Sequence, residues 1–210
     1  KEFELYKTKS RRVEDFEKAS KFWRKLANPD GTINSAYGWL LWGNKSCGNP
    51  QFERAEAEAE WRRMTGNEPV QERHGKTTSV FNDNDFMRTP WEWATLCLVN
   101  DRDSRQAIVR FSLPDHQWKG NKDQTCTMHG IFMIRDNKLH LTIVMRSNDL
   151  VKGLVYDLPW FCGLLHSMKQ TLYGVEEDGV DVEIGSYTHI AHSLHIYHDD
   201  VEKVRKMLGA

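Results

Sequence analysis

The stretch 128–145 constrains this chain more than any other. An apolar run at 128–134 and the alternating Leu139-His140-Leu141-Thr142-Ile143-Val144-Met145 flank the turn Asp136-Asn137-Lys138. Two such runs around a short polar turn predict a β-hairpin, and alternation at period two predicts a face buried against a core. That face needs a covering layer. Just downstream, Leu158, Phe161, Leu164, Leu165, Met168 and Leu172 recur at helical spacing, so a buried helix is expected after Asp157, with Asp157 placed to act as its N-cap and residues 174–179 ending it.

Elements upstream and downstream complete the layer. Residues 1–27 are charged, with Phe16, Phe22, Trp23 and Leu26 suiting a helix that lays a narrow apolar stripe on a core. Asn28-Pro29-Asp30-Gly31 is a turn, and residues 34–43, rich in aromatics and glycine, are expected to be buried near the site. Residues 44–88 turn polar, with an exposed helix at 53–63 and a mobile loop at 75–85. Residues 90–99 form a helix with Pro90 first, 107–111 a strand, and 113–124 a loop. Strands are expected around 180–184 and 194–197, then a helix at 200–208 with Val201, Val204 and Leu208 inward. A strand-rich centre between helices makes the fold α+β, and 210 residues are enough for a single domain.

Bulk properties narrow the function classes. Twenty-nine Lys and Arg against 30 Asp and Glu leave a net charge of -1, which gives no electrostatic case for direct nucleic-acid binding. Cys47, Cys97, Cys126 and Cys162 lie far apart with no C-x-x-C, and no apolar run is long enough to cross a bilayer. A reduced, intracellular, soluble protein with no membrane association is expected. His189, His192, His195 and His198 invite a metal, but period three does not hold side chains on one face of a strand, so none is expected.

Chemistry concentrates between Cys126 and Asp157. A cysteine attacks as its thiolate, which nearby cations favour, so Cys126 gains interest if Arg146 or Arg105 lies close; otherwise it is a small core residue. Arg146-Ser147 offers a charged fork and a hydroxyl to a phosphate. Arg105, at a strand's mouth, suits either an anion or an ion pair with Asp101 or Asp103. From spacing alone Asp157 is either a helix cap or an acceptor for a donor-bearing base.

Several ordered motifs resemble the thymidylate synthase superfamily, and more closely its phage-type deoxycytidylate hydroxymethylase branch. They are Tyr6-Lys7-Thr8-Lys9-Ser10, Gly31-Thr32-Ile33-Asn34-Ser35-Ala36-Tyr37-Gly38-Trp39, Asp103-Ser104-Arg105, Cys126-Thr127, Met145-Arg146-Ser147-Asn148-Asp149, and Gly185 with Ser193-Leu194-His195-Ile196-Tyr197. The resemblance implies a twisted, mostly antiparallel or mixed sheet flanked by helices, with one sheet face used for homodimerisation and active sites shared between subunits. It makes Cys126 the thiolate that adds to C6 of a pyrimidine nucleotide monophosphate, and 5,10-methylenetetrahydrofolate the one-carbon co-substrate, with no metal. Arg146, Ser147 and Asn148 fall at the substrate, and Arg105 reaches the same phosphate from the partner. His195 and Tyr197 hydrogen-bond the sugar, Asp149 sits by base and folate, and Tyr37 lines the cavity near the thiol.

The resemblance also assigns the base. Synthases acting on uracil place an Asn where Asp157 stands, and a carboxylate can accept from the exocyclic amine of cytosine. Water meeting the exocyclic methylene at C5 gives 5-hydroxymethyl-dCMP. The alternatives are CMP hydroxymethylation, dCMP C5-methylation and a non-catalytic nucleotide-binding homologue. Three departures stand out: Gln106 replaces a usual second Arg, residues 44–88 form an expanded polar insertion, and the family's phosphate-binding Arg loop and catalytic Glu are expected upstream of Lys1.

Overall fold

The computed structural model describes residues 2–73, 76–79, 86–175 and 179–209. Its N-terminal part departs from the single striped helix expected at 1–27. Helices α1 (Glu2–Tyr6) and α2 (Val13–Glu17) are separated by an extended segment that bridges Arg12 to Thr32, and a 3-10 turn follows at Lys21–Lys25. Ser20 interrupts the run: its side chain accepts from the Phe22 N–H at 3.2 Å, as an N-cap does. The break rotates the stripe, so Phe16 and Trp23 are buried while Phe22 is 55% exposed.

Helix α3 (Tyr37–Trp42) buries Tyr37, Leu40 and Leu41, as the aromatic run predicts. Close approach fixes it there: a Cβ on Gly38 would lie 2.0 Å from the Tyr6 carbonyl oxygen and 2.1 Å from that of Thr8, so only glycine lets α1 cross α3 at this spacing. In the polar segment, α4 (Pro50–Thr65) carries the expected exposed helix. Strands β1 (Val70–Arg73) and β2 (Lys76–Ser79) then pair antiparallel. Residues 76–79 are therefore strand, where a loop was expected. The rest of that expected loop lies outside the described residues. The segment's two ends are joined by the bridge between Cys47 and Arg88.

Helix α5 (Pro90–Asn100) starts at a complete capping box, with the Thr89 side chain accepting from Glu92 N–H and the Glu92 carboxylate from Thr89 N–H. Strand β3 (Ile108–Arg110) leads to β4 (Thr127–Arg135) and β5 (Lys138–Met145), which form the predicted hairpin. Asp136 and Asn137 both have positive φ, 50° and 57°, the backbone of a type I′ two-residue turn. After the two-residue β6 (Asn148–Asp149), α6 (Leu154–Tyr173) covers the sheet; β7 (Glu183–Ala191), β8 (Leu194–His195) and α7 (His198–Leu208) complete the chain. β7 starts at Glu183, so it shares only residues 183–184 with the strand expected at 180–184 and runs on to Ala191. On α7, Val201 and Val204 are half-buried, but Leu208 is exposed rather than inward.

The main sheet has the order β3-β4-β5-β7, antiparallel except for the parallel β5–β7 pair, so it is mixed. Phe132, Ile134, Leu139, Leu141 and Ile143 point into one core with Phe161, Leu164, Leu165 and Met168 of α6 and with Trp91, Ala94 and Leu98 of α5. A second cluster, built on Val13, Phe16, Trp23, Ile33 and Ala36, meets it through Tyr6 and Trp39. On the opposite sheet face Met128 and Ile190 are exposed. Among the described residues no helix is long and apolar enough to cross a membrane.

Candidate active site

One end of the sheet gathers most of the candidate residues. Thr127 pairs with Met145, and Met145 with Ala191, so Cys126, Arg146 and His192 emerge together from three adjacent strands. A bulge between Thr127 and His129 bends β4 at this end. The Arg146 N–H donates to the Cys126 carbonyl at 2.9 Å, which locks the two chain exits.

The Arg146 side chain is braced on the strand that carries the thiol. Its Nε–H donates to the Thr125 carbonyl at 3.1 Å, Nη2 to the Gln124 carbonyl at 2.7 Å, and Nη1 to Ser147 Oγ at 3.2 Å. Three of the five guanidinium N–H groups are used, leaving one on each terminal nitrogen, the pair that grips an oxyanion in fork geometry. Ser147 Oγ–H in turn donates to Cys126 Sγ at 3.6 Å. Thus the thiol, the hydroxyl and the guanidinium form one contact chain, and Cys126 is half-buried at the edge of the core.

Tyr37 and Asp157 close the other side. The buried Tyr37 hydroxyl shares a hydrogen bond with Thr127 Oγ1 at 2.7 Å. Burial raises the phenol well above its ordinary pKa, and the Asp157 carboxylate adds to the rise, with Tyr6 and Cys126 contributing less. The phenol therefore stays protonated, and Asp157 and Cys126 both lie within its electrostatic reach. Asp157 is not the N-cap of α6. That position is Gly153, with no side-chain cap bond, and Asp157 stands inside the first turn. The helix starts four residues earlier than expected, and its cap position is closely packed, since a Cβ on Gly153 would lie 2.4 Å from Asn148 Oδ1.

Asn148 and Asp149 sit in β6, which pairs in parallel with β8, so Asp149 faces His195 across the ladder. Asp149 is buried. Its Oδ1 accepts from the N–H groups of Val151 and Lys152, both at 2.6 Å, while its Oδ2 has no hydrogen-bond partner. His195 and Tyr197 meet edge to face at 5.1 Å, and Tyr197 is exposed. Lys152 lies 5.6 Å from the Tyr197 ring and pairs with buried Asp200.

Arg105 is not brought to Cys126. It lines an open cavity of about 420 Å³ with Asp101, Asp103, Ser104, Gln106 and Arg135, at the tip of the β4–β5 hairpin. Nine residues of β4 at ~3.3 Å each put that tip about 30 Å from Cys126. Sequence reasoning overlooked three contributors: the Gln124 and Thr125 carbonyls that brace Arg146, Thr127 as the partner of Tyr37, and Tyr187 with His189. Of these only His189 stands out in the sequence, as one of four histidines spaced by three. In the structure its Nδ1 meets Tyr187 Oη at 2.6 Å and its Nε2 meets Asn148 Nδ2 at 2.9 Å.

Comparison with known proteins places this arrangement in context. A family model described as thymidylate synthase matches residues 1–209. The chain is 28% identical over 202 residues to a deoxycytidylate 5-hydroxymethyltransferase of Enterobacteria phage T4, covering 94% of this chain and 65% of that relative. It is 33% identical over 138 residues to a deoxyuridylate hydroxymethyltransferase of Bacillus phage SP01, covering 62% of this chain and 33% of the relative. The chain thus spans slightly less than two thirds of the length of the phage T4 protein. Among solved structures, a thermostable thymidylate synthase A from Bacillus subtilis is similar with a TM-score of 0.62 and 19% identity, over 98% of this chain and 58% of that one.

Proposed function

The chain belongs to the thymidylate synthase family, and from that premise we propose that it acts as a cytidylate 5-hydroxymethylase on dCMP. The observation that carries this reading is Asp157: a carboxylate in the first turn of α6, four residues past the N-cap Gly153, within electrostatic reach of the Tyr37 phenol, which in turn bonds Thr127 beside Cys126. A carboxylate at that point accepts a hydrogen bond from the amino group of cytosine and repels the carbonyl oxygen that uracil presents there.

The chain's residues then divide the work. Arg146 and Ser147 hold the 5′-phosphate with the two N–H groups left on the braced guanidinium, and Asn148 continues the substrate wall. Cys126, held next to them by Ser147, adds its thiolate to C6 of the ring, which makes C5 a carbon nucleophile. His195 and Tyr197 hydrogen-bond the sugar hydroxyl. Asp149 fits a donor-bearing heterocycle, since its buried Oδ2 lacks a partner. When bound, 5,10-methylenetetrahydrofolate supplies the one-carbon unit. Loss of the C5 proton with departure of tetrahydrofolate would leave an exocyclic methylene at C5; water adds to that carbon to give the hydroxymethyl group, and re-forming the C5–C6 double bond expels the Cys126 thiolate.

The face of the sheet opposite the helices supports pairing with a second copy, and Arg105, far from its own Cys126, would then serve the partner's phosphate. Replacing Cys126 with Ser is expected to abolish turnover by the full-length protein and leave dCMP binding within about threefold, since only the nucleophile is lost. Undiminished turnover would end the covalent mechanism. The similarity to a deoxyuridylate hydroxymethyltransferase makes uracil the rival base. Asp157→Asn decides between them: a shift of preference toward dUMP is expected, and an unchanged preference would remove Asp157 from base selection.

A further inference from the structure

We infer that Tyr187 and His189 form a positioning relay that presents a hydroxyl donor to Asp157 and thereby sharpens the choice of cytosine over uracil; the inference rests on the role of Asp157 proposed above. Tyr187 and His189 are two residues apart on β7 and so share a face, the one toward α6. The Tyr187 ring is stacked on Phe161, with centroids 6.5 Å apart and planes 14° apart. Phe161 follows Asp157 by four residues on α6, which puts the two side chains on the same helix face. The Tyr187 phenol is therefore laid along the helix face that carries the base-selecting carboxylate.

The direction of the relay follows from which groups can donate. The Asn148 amide nitrogen only donates, so the His189 Nε2 it meets at 2.9 Å is an acceptor. Burial lowers the His189 pKa, so the ring is neutral at physiological pH and carries its one proton on Nδ1. That proton goes to Tyr187 Oη at 2.6 Å, which makes the phenol oxygen an acceptor there and leaves its own O–H free to donate elsewhere. Burial, with Cys162 and then Asp157 adding to it, raises the Tyr187 pKa far above its ordinary value, so the O–H is retained. The carboxylate that contributes to this shift is Asp157.

Chemistry argues against a passive role. Tyr187 packs against the main core, Asn148 is buried, and an amide, an imidazole and a phenol in such a place cost stability unless they hydrogen-bond one another. Apolar side chains would fill the same space without that requirement. A donor on Asp157 holds one carboxylate oxygen and turns the other toward the base, so the amino group of cytosine meets a fixed acceptor.

The test compares dissociation constants for dCMP and dUMP in the full-length protein, its Tyr187→Phe, His189→Phe and His189→Gln variants, with folding of each checked by circular dichroism. Wild type is expected to prefer dCMP. Tyr187→Phe, which keeps the stack and removes one charge-assisted hydrogen bond, is expected to lower that preference about tenfold through weaker dCMP binding alone. His189→Phe should do the same, and His189→Gln, with both an N–H and a carbonyl, should recover part of it. An undiminished preference in folded Tyr187→Phe, or parallel weakening of both nucleotides, overturns the relay and leaves the role of Asp157 standing; should Tyr187→Phe not fold, the two His189 variants decide the same way. A wild type with no preference for dCMP overturns the role of Asp157 and the relay with it.

Discussion

Arg146 shows how much a single side chain can be committed before any ligand arrives. Its guanidinium is tied to two carbonyls and a hydroxyl on either side of Cys126, so most of its ordering cost is already met in the folded chain. A lysine reaches the same region as a point charge without the fork. Arg146→Lys is therefore expected to weaken nucleotide binding roughly 10–100-fold, the loss of charge-assisted hydrogen bonds, while leaving the unfolding midpoint nearly unchanged. Equal binding by isothermal titration would contradict the phosphate role. Cys126, Arg146-Ser147 and Asp149 were legible in the sequence because they fall in ordered motifs at fixed spacing. Tyr187 and His189 were not, because a strand's period of two hid their pairing inside a histidine run of period three. Asp157 was legible as a choice between cap and base acceptor; α6 starts at Leu154, so its N-cap is Gly153 and not Asp157.

At the scale of elements, legibility followed the strength of the local signal. The β4–β5 hairpin and α5 were readable because alternation, a turn with two left-handed residues and a capping box all agree. The N-terminal pieces were not, since Ser20 capping and the bridge from Arg12 to Thr32 break a stripe that apolar spacing alone would continue. Strands β1 and β2 escaped for the opposite reason: Gln71, Glu72, Arg73, Lys76 and Thr77 offer no apolar alternation to read. The tightest joint between elements is Gly38, where α1 and α3 cross and Tyr37 begins its approach to Thr127. Gly38→Ala forces a methyl into two backbone carbonyls and is expected to destabilise the protein by at least about 3 kcal/mol, the upper range of overpacking. Urea denaturation checks it, and an unchanged midpoint would mean that α1 is not held against α3.

For the whole molecule, buried His116 and half-buried His189 set a pH dependence. Burial depresses the pKa of His116, which shares a hydrogen bond with Thr125 at 3.2 Å, and of His189 below the ordinary 6.5. The folded chain then binds fewer protons than the unfolded one as pH falls through 6.5, so stability is expected to be full above that value and to decline below it. The double variant His116→Gln with His189→Gln should flatten the decline in denaturation midpoints measured across this window; an equally steep decline would place its origin elsewhere. The sheet face away from the helices bears on assembly. If it pairs two copies, a charge at Ile131 should yield monomers by sedimentation and reduce turnover, because Arg105 would no longer reach the partner's phosphate.

The proposed reaction builds a hydroxymethyl group on a cytosine nucleotide through Cys126. Incubating the full-length protein with dCMP and 5,10-methylenetetrahydrofolate, and identifying the products by mass spectrometry, tests it most directly. The expected products are 5-hydroxymethyl-dCMP and tetrahydrofolate, absent with Cys126→Ser. Methylated nucleotide accompanied by dihydrofolate, or preferential consumption of dUMP offered in competition, would contradict it.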